Sequence, residues 1–253
     1  MTKRNSGPAS VAAEIRRVLK GEGSAEQAAG VQWLFKEEIK SHGWYTADLR
    51  RLAVRCRKSL FKEIGDKENG LDFLIQVADQ LFRGRVLEEK IFAVFLLEKL
   101  TNDLDDNNFA MLESWLARIS SWADHDGLVH YLIAPMVGAK PARAARVFRW
   151  AKSPDRWHRR AACVALIQGT RQKKFFAQIT RLSNLLLSDQ DDMVQKGLGW
   201  MLRETAKADP KRTVPYLMKI RDFAPRLVLR TACETLPASL RIQVLKRKVS
   251  TEK

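Results

Sequence analysis

The sequence predicts an all-α fold, an α-solenoid of paired helices, on three observations. Apolar residues recur at helical spacing in stretch after stretch, short polar breaks separate these stretches, and no alternation of β-branched residues bounded by turn signals competes with them. The 13 Gly and 8 Pro among 253 residues are few and scattered, as in a helix-rich globular chain. Helix pairs recurring about every 35 to 45 residues point to repeats of the HEAT or armadillo sort, in which each pair packs on its neighbours.

In chain order, residues 1–8 are polar and expected to be disordered, and residues 9–248 are expected to form one repeat domain. Val11 to Leu19 reads as a first amphipathic helix, broken at Gly21-Glu22-Gly23-Ser24, and Ala25 to Lys40 as a second, ended by His42-Gly43. Thr46 is read as the N-cap of a third, with Asp48 in the first turn, where the helix dipole favours an anion. Arg51, Arg55, Lys58 and Lys62 share one face of that helix, with Leu52 and Leu60 left for the core. Such a strip is either a solvated face or a phosphate track. Asn69-Gly70 opens the next pair, Leu71 to Phe82 and Val86 to Leu100, and Asp105-Asp106 leads into Phe109 to Ile119. The pattern continues over 126–137, 141–151, 154–168, 173–187, 191–207, 211–220, 223–234 and 237–248. Ser153-Pro154 and Asp209-Pro210 each place a capping side chain before a Pro at the first helical position.

The chain carries 45 Lys and Arg against 29 Asp and Glu, a net of +16, and the excess is confined to one half. Residues 1–139 hold 19 basic and 20 acidic residues, a net of −1; residues 140–253 hold 26 and 9, a net of +17. So uneven a distribution points to a polyanionic partner, most simply nucleic acid, against the plain alternative of a solvated basic surface. The apolar run Ile91 to Leu97 is too short to cross a bilayer and Met1 to Ser6 lacks a secretory signal, so a cytoplasmic protein without membrane contact is expected. Cys56, Cys163 and Cys233 have no paired spacing; they read as small core residues, and neither a disulfide framework nor a metal site is indicated.

The stretch Ser121-Trp122-Ala123-Asp124-His125-Asp126-Gly127 lies between two apolar helical runs. On a helix Trp122 and Asp126 share a face by their spacing of four, with Asp124 and His125 directed elsewhere. One of the two Asp residues could equally be a helix cap. In the basic half, Trp157 and Arg160 share a face, as do Lys196, Trp200 and Arg203, although a Trp on an amphipathic helix is more often core. Gly197 and Gly199 interrupt a good helix at a cost of about 1 kcal/mol each, which implies that something approaches the backbone closely there.

Together, Trp122-x-x-x-Asp126, Trp157-x-x-Arg160-Ala161-Ala162 and Gln195-Lys196-x-x-Gly199-Trp200-x-Leu202-Arg203-Glu204-x-x-Lys207 resemble the signature of the AlkD-type DNA alkylation repair glycosylases. The match extends upstream to Gly43-x-x-Thr46-x-x-x-Arg50-Arg51 and Glu89-Lys90-x-x-Ala93-x-x-Leu96-Leu97-Glu98-Lys99. The resemblance implies a curved HEAT-like solenoid whose concave basic face holds duplex DNA, and excision of N3- and N7-alkylated purines. It implies Asp126 as catalytic carboxylate, Trp122 and Trp200 as the paired indoles, and Arg160 on the DNA backbone. Further DNA contacts are expected from Trp157, Arg159, Lys196 and Arg203, and from Arg51 and Arg55. An aromatic residue beside the lesion in the family's second helix has no clear match; Trp33 and Leu34 are the nearest candidates. A monomer without cofactor or metal is expected.

The chemistry agrees with these residue types. Alkylation at N3 or N7 makes the purine cationic, so it departs as a neutral base and needs no general acid. As the glycosidic bond lengthens, positive charge moves onto the deoxyribose, where a carboxylate stabilises it and indole faces add cation–π attraction. The motifs of zinc deaminases, P-loops and dinucleotide sites are absent from the sequence. The rival reading is a non-catalytic helical-repeat module that binds nucleic acid through a basic groove, for which Asp126 has no use.

Overall fold

The computed structural model describes residues 7–246. Of the stretch expected to be disordered, residues 1–6 lie outside that range and Pro8 already opens the first helix; the expected last helical residues 247–248 also lie outside it. The only regular structure among the described residues is helical, with one isolated parallel bridge between Lys40 and Val86 and no strand. No helix among them is long and apolar enough to cross a membrane. The chain packs as two compact units, divided between Leu132 and Ile133.

The first unit contains α1 (Pro8–Gly21), α2 (Ala25–Gln32), α3 (Thr46–Ile64), α4 (Lys67–Phe82), α5 (Leu87–Leu97), α6 (Asp106–Trp115) and α7 (Trp122–Leu128). Helix α5 is its centre and packs on α3, α4 and α7, while α1 lies across α4. It is buried almost all round, from Phe92 to Leu97, as befits a helix enclosed by others. Phe82 stacks on Trp115 at 4.3 Å between centroids, and both are out of contact with water.

The second helix is half the expected length. It stops at Gln32, whose side chain donates to the Glu37 carbonyl and accepts from the Ile39 amide, both at 2.9 Å, so that one amide folds the chain back on itself. Residues beyond it reach the start of α5, where the Lys40 carbonyl accepts from the Leu87 amide. Gly43 sits at φ +77, and a Cβ there would lie 1.9 Å from the Ser24 carbonyl oxygen, so both backbone and space demand glycine. Two expected caps shift. Thr46 is the first helical residue and not the N-cap, which is Tyr45 without a side-chain bond; α3 buries Leu49, Ala53 and Leu60, whereas Leu52 is half-buried. Asn69-Gly70 falls inside α4, which Asp66 caps three residues earlier.

The second unit contains α8 (Ala134–Ala139), α9 (Ala144–Trp150), α10 (Arg156–Val164), α11 (Ile167–Thr170), α12 (Phe176–Leu186), α13 (Asp192–Ala208), α14 (Pro210–Ile220), α15 (Arg226–Cys233) and α16 (Ala238–Leu245). Its centre is α13, packed on α10, α12, α14 and α15. The expected cap at Ser153 passes to Asp155, with Ser153 Oγ accepting from the Asp155 amide, while Asp209 caps α14 through the Arg212 amide with Pro210 first in the helix, as expected. Cys163 and Cys233 are buried, and burial pushes the Cys163 thiol up to about 12 and those of Cys56 and Cys233 to about 11.

Candidate functional site

Three consecutive charged residues, Glu88, Glu89 and Lys90, are buried in the first turn of α5. Buried charge is tolerated only where it is paired and hydrogen-bonded, and each of the three is committed to a different segment. Glu88 accepts from the Ser41 hydroxyl and from the amides of His42, Gly43 and Trp44, at 2.5 to 3.3 Å, and so fixes the loop before α3. Glu89 accepts from Arg16 of α1 at 2.9 Å and lies where any Cβ on Gly84 would stand. Lys90 donates to the Arg118 carbonyl, the Ser120 hydroxyl and the Asp124 carboxylate, at 2.6, 2.8 and 2.8 Å. This turn therefore sets both the loop that follows α2 and the start of α7.

Helix α7 begins after Ser121, its N-cap. The Asp124 carboxylate reaches back to accept from the Ser121 amide at 2.7 Å, the capping-box arrangement, while its other oxygen receives Lys90. The capping role thus falls on Asp124, which is fully buried. Asp126, one turn beyond Trp122, keeps 22% of its side chain exposed. Trp122 is half-buried; Phe35 stacks on its ring at 5.0 Å and 16°, and its Nε1 donates to the Leu34 carbonyl at 3.4 Å. Of the two sequence candidates for a lesion-side aromatic, Trp33 is 92% exposed and Leu34 67%. His125 is fully buried, and its Nδ1 lies 2.7 Å from Asp126 Oδ1. After Asp126 the chain passes through a π-helical segment, Val129–Ile133. Such segments are frequent near functional sites.

In the second unit the two glycines of α13 are explained by neighbouring helices. A Cβ on Gly199 would stand 2.6 Å from Thr231 Cβ of α15, and one on Gly197 would stand 3.0 Å from Arg160 Cγ of α10. Arg160 is only 5% exposed and donates from Nη1 to the Met193 carbonyl at 2.7 Å, so it ties α10 to the start of α13. Trp157 is buried, with the Arg156 guanidinium 4.6 Å over its ring. Arg159 is bound to Asp189 at 2.6 Å and to the carbonyls of Ser153 and Pro154, and the Asp189 hydrogen bond raises its pKa further. Arg203 is paired with Glu204 and Glu234, Lys196 with Asp192 on its own helix, and Trp200 is half-buried. On α3, Arg51 pairs with Asp48, while Arg55, Lys58 and Lys62 are exposed. No group of His, Cys, Asp and Glu among the described residues could hold a metal ion.

The fold is that of an all-α helical-repeat protein, with a partly exposed carboxylate one turn beyond an indole in α7. The family described as DNA alkylation repair enzyme matches residues 15–236, and the chain belongs to it. Among solved structures it is similar to a predicted DNA alkylation repair enzyme from Enterococcus faecalis, at 16% identity over 85% of this chain and 97% of that one, with a TM-score of 0.74. It is also similar to AlkD2 from Streptococcus mutans, at 18% identity over 85% of this chain and 100% of that one, with a TM-score of 0.56. At such identities the likeness is one of fold. No curated protein matches the chain.

Proposed function

We propose that this protein is a DNA glycosylase that excises N3- and N7-alkylated purines from duplex DNA, with Asp126 as its catalytic carboxylate. The observation that carries the reading is the contrast between the two carboxylates of α7. Asp124 is buried and spent on Lys90 and Ser121, whereas Asp126 keeps part of its side chain exposed one turn beyond an indole. Only the second can meet a substrate. A unit charge at about 4 Å and an effective dielectric near 20 contributes about 4 kcal/mol, close to a thousandfold in rate, which suffices for a base already activated by alkylation. Trp122 offers a flat face to the cationic sugar, and the resemblance assigns the second indole to Trp200. The protein acts as a cytoplasmic monomer without a cofactor.

The test is release of free modified base from methylated duplex DNA. Asp126→Asn should lower the single-turnover rate by roughly one to three orders of magnitude while DNA binding survives or tightens. Asp124→Asn strands the buried Lys90, so its expected effect is on stability. A wild-type protein that binds DNA and releases no base would establish the non-catalytic module instead.

A further inference from the structure

We infer that a cavity in the first unit, outside the turn that carries Trp122 and Asp126, is a binding site for a phosphate group borne on a sugar. The cavity has a volume of about 370 Å³ and lies among three segments: the loop after α2, the turn between α4 and α5, and the turn before α7. Its wall carries five cations, Lys40, Arg83, Arg85, Lys90 and Arg118, against one carboxylate, Glu38. With Asp79 and Asp124, the carboxylates that hold three of these cations, also counted, the charge remains +2. Residues 1–139 carry a net of −1, so the cluster is a local departure from its surroundings. A recess lined by one sign of charge between low-dielectric walls concentrates the opposite sign. The five cations have different duties. Lys90 gives its three protons to the Arg118 carbonyl, Ser120 and Asp124, and so supplies field without a hydrogen bond. Arg118 and Arg83 both bond to Asp79 at 2.7 Å, which orients two guanidinium groups that each have more N–H donors than Asp79 takes. Lys40 and Arg85 have no ion-pair partner among the described residues. The bridge between Lys40 and Val86, with the Leu87 amide donating to the Lys40 carbonyl, holds their segments side by side. Oriented guanidinium forks suit phosphate oxygens, and a lysine adds a point charge. Ile39 and Leu87 add apolar wall, and the volume is at the lower end of the range for small-molecule sites, more than a bare phosphate fills. Such a group arrives either in a nucleic-acid backbone or on a free phosphorylated molecule, and the site does not depend on which reaction the protein catalyses.

The probe is deoxyribose 5-phosphate, titrated calorimetrically into the full chain, with deoxyribose as the control that lacks the phosphate. The wild type should bind the first saturably and the second not at all. Arg85→Ala and Lys40→Ala each remove an exposed side chain outside any ion pair, so both should fold, and each should weaken binding roughly tenfold to a hundredfold. Lys20→Ala removes an exposed cation of α1 that does not line the cavity, and should leave binding unchanged to within about twofold. Affinity for duplex DNA as a function of salt then separates the two sources. A slope reduced by about 0.9 in Arg85→Ala assigns the cavity to a backbone phosphate, whereas an unchanged slope with sugar-phosphate binding lost assigns it to a free ligand. The inference is overturned if neither readout moves in Arg85→Ala and Lys40→Ala, or if Lys20→Ala moves both as far. Absence of base release by the wild type would end the glycosylase reading and leave this site untouched.

Discussion

At Asp79 burial and hydrogen bonding pull in opposite directions. Burial alone would raise its carboxyl, but bonds from Arg118, Arg83 and the Trp115 indole outweigh it and hold the carboxyl below the usual carboxylate range. A folded value below the unfolded one, about 3.9, makes the stabilisation complete above that value and lost as pH falls through the folded one. Urea midpoints should therefore drop on acidification below about pH 4, and Asp79→Asn should drop less steeply over the same window. Some slope should remain, since Lys207 and Arg203 outweigh burial at Glu204 in the same direction. At this scale the sequence was legible where a residue acts through its own helix. The spacing of Trp122 and Asp126 survives in α7, and Asp209-Pro210 caps as read. The His125–Asp126 contact and the stacking of Phe35 on Trp122 were not legible, because one joins adjacent residues and the other comes from a turn outside any helix.

Among elements, α13 and α2 show what periodicity does and does not decide. The run from Asp192 to Ala208 announces itself by spacing, and its two glycines correctly signalled close approach. What approaches is packed helix: Thr231 against Gly199 and Arg160 against Gly197. Gly199→Ala gains about 1 kcal/mol of helix propensity but places a methyl inside the Thr231 contact, and overpacking of this kind costs about 1 to 3 kcal/mol. The variant should therefore be no more stable than wild type, and up to about 2 kcal/mol less so, by denaturant unfolding; a gain in stability would mean that α15 gives way freely. Helix α2 shows the converse. Nothing in Ala25 to Lys40 is a strong breaker, and the helix ends because Gln32 captures Glu37 and Ile39 while Glu88 holds the loop beyond. The Gln32 bonds are local but lie outside the helical period, and the Glu88 bonds join segments far apart in the chain, so apolar spacing signals neither.

For the whole molecule the division of charge is the governing quantity. With +17 carried by residues 140–253 and −1 by the rest, affinity for duplex DNA should fall steeply with added salt, each phosphate contact adding about −0.9 to the log–log slope. Lys196, whose side chain is partly exposed and paired with Asp192 four residues back, is the variant to use: Lys196→Ala should flatten the slope by about one. Arg160→Ala should act differently, lowering stability by taking a buried donor from the Met193 carbonyl. Affinity unchanged by salt would remove the nucleic-acid reading. The all-α architecture was legible from pattern alone, because amphipathic spacing is a property of each helix, whereas the two-unit packing depends on which helices meet.

The charged turn at the start of α5 also constrains how this sequence can drift. Lys90 and Asp124 are both nearly withdrawn from water, so replacing one alone strands a charge at a cost of about 3 to 5 kcal/mol, whereas exchanging both for well-packed apolar residues can be close to neutral. Glu89 is paired with Arg16 at 2.9 Å, but the Arg16 side chain is 35% exposed, so that pair constrains the chain less. Descendants of this chain can leave the Lys90–Asp124 pairing only by paired substitutions, and each intermediate step crosses a valley deep enough to threaten a fold of ordinary stability. The three adjacent positions are therefore locked by three separate partners in the chain, and the helix that bears Asp126 inherits that immobility.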